Sequence, residues 1–183
     1  GLGGYGRYMN DSVAHFRNVG STIASVENSE KKSSVFIDYD DWVTGEDSID
    51  LDATFSIYPE GRFSKIDLKP SAEIEGLTTG IVKFEDIPLT EKKSEDGKWG
   101  YIATYGTQTL VSDEDQLGMA IFYKTSEVEK IKEGPHDHLL IFKPTSNTVS
   151  YYILAAWEQE KNGLASEEEF VQSLDEHLNT LQE

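Results

Sequence analysis

Four histidines, 34 carboxylates and no cysteine make up the chemical stock of this 183-residue sequence. The segment Pro135-His136-Asp137-His138 opens an apolar stretch, with its two imidazoles two positions apart. On a strand that spacing puts both side chains on one face, where they can pinch a metal ion. A third ligand, Asp115 or Glu158, must then come from a distant segment. Two other readings stand beside it. One is a strand entrance with one solvated and one packed imidazole; the other is His138 as a general acid or base without metal. No metal ligand and no cofactor is assigned on this pattern.

A second candidate is the alternating set Trp99, Tyr101, Tyr105. Sugars present apolar C–H faces that stack on aromatic rings, and a stripe on one strand face supplies such a platform. The competing reading is core, because aromatic residues favour strands for packing alone. Trp157 offers another stacking ring, and Glu158 follows it at the end of the most apolar segment. Glycoside hydrolysis needs two carboxylates at a defined separation, and 34 of them leave the pair unspecified. The run Asp113-Glu114-Asp115 lacks a calcium-loop spacing. His177 borders the apolar face of a C-terminal helix and reads as an edge residue. Phosphate-binding glycine loops and the Gly-x-Ser-x-Gly nucleophile elbow are absent.

Composition narrows the partners. The net charge of −18 repels phosphate backbones, so nucleic acid is not an expected partner. The three arginines are Arg7, Arg17 and Arg62. Without cysteine there is no disulfide, thiolate zinc site or thiol catalysis. Apolar runs fall well short of the roughly 20 residues that span a bilayer, and no segment resembles a signal peptide. The opening Gly1-Leu2-Gly3-Gly4-Tyr5-Gly6 lacks an initiator Met and reads as a mature end or as part of a longer chain.

The elements that must position these groups are mainly strands. Residues 1–30 read as loop with one or two short strands. Val35, Ile37 and Tyr39 alternate with polar residues, and an acidic loop follows from Asp40 to Asp47. Leu51 to Ile57 and Phe63 to Leu68 flank Pro59-Glu60-Gly61 as a hairpin. Further strands run from Thr79 to Phe84 and from Trp99, after the turn Asp96-Gly97. Leu117 to Tyr123, His138 to Phe142 and Val149 to Trp157 lose alternation, which predicts strands covered on both faces. Ser166 with Glu169 forms a capping box, and Phe170, Leu174, Leu178 and Leu181 share a helical face over 166–182. The expectation is one antiparallel β-sandwich over 1–183, alone or as the C-terminal portion of a larger domain, with one C-terminal helix.

Five stretches, in this order, resemble the domain-of-unknown-function 4861 family. They are Gly1 to Gly6, Trp99-Gly100-Tyr101 with Tyr105-Gly106, Leu117 to Ile121, Asp137-His138-Leu139-Leu140, and Tyr151-Tyr152 through Ala156-Trp157. The resemblance implies a galactose-mutarotase-like or polysaccharide-lyase-like sandwich. It covers the C-terminal part of a typical member, so an N-terminal portion of the same protein is an implied partner. It also implies an exported, periplasmic or secreted protein of Bacteroides-like bacteria, acting on a plant or algal oligosaccharide as a hydrolase or a lyase. The alternative is a non-catalytic glycan-binding or structural module of the same pathway. On the catalytic reading His138 is acid or base, Tyr101 and Tyr105 are proton donors or platform residues, and Glu158 is a carboxylate partner. Trp99 and Trp157 stack on the sugar. Arg17 or Lys143 neutralises a uronate if the reaction is elimination.

Overall fold

The computed structural model describes residues 1–112 and 114–181. Its strands, in chain order, are β1 (Leu2–Met9), β2 (Ser12–Ala14), β3 (Ser21–Asn28), β4 (Ser33–Thr44), β5 (Asp47–Ile57), β6 (Phe63–Pro70) and β7 (Leu77–Val82). There follow β8 (Thr90–Lys93), β9 (Trp99–Gly106), β10 (Leu117–Lys124), β11 (Val128–Glu133), β12 (Asp137–Phe142) and β13 (Val149–Trp157). One helix, α1 (Glu167–Thr180), ends the described chain.

All strand pairings are antiparallel and form two sheets, ordered β11-β12-β7-β1-β2 and β3-β4-β5-β6-β13-β10-β9-β8. Apolar residues of the two inner faces meet in one layer. Leu77, Ile81, Leu140 and Phe142 come from the smaller sheet; Leu51, Ile66, Leu68, Ile121 and Tyr151 come from the larger. This is the antiparallel sandwich that the alternation predicts.

A second apolar layer lies on the far side of the larger sheet. There α1 packs Phe170, Leu174 and Leu178 onto Tyr101, Ala103, Ala120, Phe122 and Ala156. The Ser166 hydroxyl accepts from the Glu169 amide at 3.2 Å, and Glu169 accepts from the Ala165 amide at 2.9 Å. The first bond satisfies a donor that an uncapped helix start leaves orphaned, and the second ties the residue before the cap to the first turn. β10 therefore buries Met119, Ile121 and Tyr123 inward and Ala120 and Phe122 under the helix, which is why it reads as apolar throughout.

Three expectations change. Residues 1–30 hold three strands rather than loop with one or two short ones. Glycine lowers strand propensity and masks alternation, and Gly3, at φ +69, occupies a register shift between Leu2 and Tyr5. Asn10 and Asp11, both with positive φ, make the two-residue turn of the β1–β2 hairpin, the geometry that twisted strands favour. The acidic stretch 40–47 is not a loop: a register shift between Tyr39 and Trp42 carries β4 on to Thr44 and buries Trp42 completely, against Phe16 at 4.1 Å. The helix starts at Glu167 with Ser166 as its cap, and Gln182 lies outside the described residues.

β3 is an edge strand exposed along its whole length, with Ile23 59% and Val26 61% accessible.

Candidate functional site

The structure does not assemble His138 with Tyr101. His138 lies on β12, in register with Ile81 and pointing with Leu140 into the sandwich. Tyr101 points the other way from the larger sheet, is fully buried under α1, and donates to Asp175 at 3.2 Å. The larger sheet stands between them. The aromatic stripe is the seat of the helix rather than a platform: Tyr105 donates to the Leu164 carbonyl at 3.3 Å and rests near Phe170. Trp99 is half-buried beside Tyr152, with Lys124 over its ring. Burial, reinforced by the Asp175 charge, pushes the Tyr101 hydroxyl above its ordinary value, so it holds its proton.

Trp157 is tied by its indole N–H to Asp115 at 2.6 Å, and Asp115 also accepts from Thr109 at 3.1 Å. Burial would raise Asp115, but these hydrogen bonds outweigh it and hold its carboxyl below the usual range. Trp157 lines an apolar hollow of about 640 Å³ with Val82, Phe84, Leu110, Val111 and Met119. Among the described residues its lining carries no titratable side chain. Glu158 is half-buried after β13, and its charge adds to burial in raising the Tyr105 hydroxyl. Arg17 is exposed in the connection from β2 to β3, and Lys143 donates to the Ser126 carbonyl. No cluster of three or more potential His, Cys, Asp or Glu metal ligands occurs among the described residues.

His136 and His138 do not share a face as a ligand pair. β12 starts at Asp137, so His136 sits exposed in the bend before it, whereas His138 is 3% accessible. Neither ring nitrogen of His138 has a hydrogen-bond partner among the described residues. Burial pushes its pKa down; Glu133, Asp137 and Glu91 oppose that shift and Lys83 adds to it. His177, packed on Phe63 at 4.2 Å, is lowered by burial too. A buried imidazole that resists protonation is destabilising in acid, because the unfolded chain binds the proton more readily. The thermal midpoint is expected to fall as pH drops below about 6.5, the ordinary imidazole value. His138→Leu should lessen that fall while leaving stability at pH 8 equal or higher, as read by calorimetry across pH.

A different set of residues converges on the outer face of the smaller sheet. Alternation turns Asp137, Leu139 and Ile141 of β12 away from the sandwich, beside Thr78 and Gly80 of β7 and Gly6 of β1. Two hollows of about 140 and 240 Å³ lie on this face and share Val13, His15, Asp137 and Leu139. The first is floored by Gly4, Gly6 and Gly80; the second carries Tyr8, Lys132 and His136. Glycine in a strand interior leaves backbone open to close approach. A third hollow, of about 310 Å³, lies on the other side of Tyr8.

The hollows form a trough because the sheet curls over this face. β11 and the β1–β2 hairpin are separated in the sheet by β12 and β7, yet their side chains meet. Lys132 donates to Asp11 at 2.8 Å and lies 5.0 Å over the Tyr8 ring, while Tyr8 donates to Asp11 at 2.7 Å. The Asp11 bond, then the Tyr8 contact, raise the Lys132 ammonium; Lys132 and Tyr8 hold the Asp11 carboxyl low. This clip crosses the trough and fixes Tyr8 at its middle.

His15, Tyr8 and Lys132 are absent from the sequence-derived candidates. No local pattern marks them, since the contact joining Lys132 to Asp11 spans 121 positions. The Gly-rich opening and the segment Pro135-His136-Asp137 are the sequence signals that point here.

The sequence model of the family described as Domain of unknown function (DUF4861) matches residues 1–183. No curated protein and no solved structure matches the chain. The chain belongs to the DUF4861 family.

Proposed function

We propose that the chain is a carbohydrate-binding component of bacterial polysaccharide degradation, exported to the periplasm or medium, and that an oligosaccharide lies in the trough of the smaller sheet. The observation that supports this is the glycine floor of Gly4, Gly6 and Gly80 beneath a rim of polar and aromatic groups. A sugar ring is flat and apolar on its faces and carries hydroxyls round its edge. Bare backbone accommodates the face; Asp137, Lys132 and the imidazoles of His15 and His136 serve the hydroxyls. The family resemblance, which implies an exported protein acting on a plant or algal oligosaccharide, agrees with this reading. No helix among the described residues is long and apolar enough to cross a membrane.

A catalytic reading is favoured by one observation: His15, His136 and Asp137 line the same hollow, supplying imidazole and carboxylate for proton transfer in hydrolysis. Calorimetric titration with a panel of plant and algal oligosaccharides, followed by chromatography of the incubated sugars, tests both. Binding that weakens at least tenfold in His15→Ala is expected. Sugars recovered intact leave a binding module; hydrolysed products lost in His15→Ala establish the enzyme. Absence of binding across the panel overturns the proposal.

A further inference from the structure

Resting on that reading, we infer that the trough selects neutral glycans and rejects uronate or sulfated ones. The three hollows are lined by five carboxylates (Asp11, Glu75, Glu129, Glu133 and Asp137) and three permanent cations (Arg7, Lys130 and Lys132). Each of these cations already has a carboxylate partner. Lys132 holds Asp11 at 2.8 Å, Lys130 holds Glu129 at 2.9 Å, and Arg7 holds Asp47 at 2.6 Å. Lys83, the nearby cation outside the lining, pairs with Glu133. Glu75 and Asp137 have no ion-pair partner among the described residues.

An ionised carboxylate is an acceptor only, whereas a sugar hydroxyl both donates and accepts. A rim dominated by acceptors therefore needs donors from its ligand. Neutral sugars bring a donor at nearly every carbon. A uronate replaces one of them with a further acceptor and a like charge facing Asp137 or Glu75. Its neutralisation would have to share the Lys132 ammonium with Asp11, which weakens the clip over Tyr8. The −18 charge of the whole chain adds a long-range repulsion of the same sign.

The test is titration of the intact chain with tetrasaccharides in matched neutral and acidic series. The neutral series comprises galacto-, arabino-, xylo- and manno-tetraose; the acidic series comprises tetragalacturonate, tetramannuronate and a glucuronate-containing tetrasaccharide. Each is measured at low and at physiological salt. The expected result is at least one neutral sugar bound at least tenfold more tightly than any acidic one, about 1.4 kcal/mol. The gap should narrow as salt screens the repulsion. Asp137→Asn, which keeps the shape and removes the charge, should narrow it as well. An acidic sugar bound as tightly as every neutral one overturns the selectivity while leaving the glycan reading in place. Binding of neither series overturns the glycan reading and the selectivity with it.

Discussion

Phe170→Ala is expected to lower stability by about 3–5 kcal/mol, the usual cost of emptying a large aromatic site in a core. The ring is 1% accessible and sits directly on the backbone of β10: a Cβ built on Gly118 would lie 2.4 Å from it. Tyr105 covers it at 5.5 Å. Nothing nearby can collapse into the space, because the strand behind it is held on both sides by β9 and β13. A loss of this size is a large part of the 5–15 kcal/mol that holds a domain together. Urea denaturation reads it as a lowered midpoint. Gly118→Ala approaches the same contact from the other side and should act in the same direction. Midpoints unchanged in both variants would mean that α1 does not depend on this seat.

The second large effect is on binding. Gly4→Phe should weaken oligosaccharide binding at least tenfold with a thermal midpoint close to the parent's. Gly4 is exposed in the first hollow, and a Cβ built there meets no atom within 4 Å. A ring at this position occupies the volume assigned to sugar without pressing on backbone. The other floor glycines are poorer tests. A Cβ on Gly80 would stand 2.6 Å from the His138 carbonyl, and one on Gly6 would stand 2.7 Å from that of Ala14. Substitution there strains a strand pairing and confounds folding with binding. Full affinity in a well-folded Gly4→Phe variant would move the ligand out of the trough.

The fold was legible where side-chain period carries the information. Leu51, Ala53, Phe55 and Ile57 alternate, and β5 pairs with β6 as a hairpin. Asp96-Gly97 turns between β8 and β9, with Gly97 at φ +70. Ser166 caps α1. Period also put Trp99, Tyr101 and Tyr105 on one face, but it cannot say whether a face is open or covered. A helix 60 to 80 positions further on decides that. The candidate site was less legible for a related reason. His136-x-His138 reads as a pair only if the strand includes both, and β12 begins between them. The trough gathers the segments around Gly4, Gly80 and Lys132, so its chemistry is a property of sheet order and curl rather than of any motif.

The exposed strand β3 has a consequence for how copies of the protein tolerate one another. Of the four sheet edges, β11 carries Lys130 and Lys132, β8 carries Lys92 and Lys93, and β2 is three residues long. These are the devices that keep a sheet edge from adding a foreign strand. β3 has eight residues, no lysine and no proline, and it bares Ile23 and Val26. Its guard is the charge of −18 shared by every copy. That protection reaches only as far as a Debye length, about 10 Å at 0.1 M salt and about 3 Å at 1 M. Colloidal stability should therefore decline with added salt or near the isoelectric point of about 4.5, and light scattering should show it.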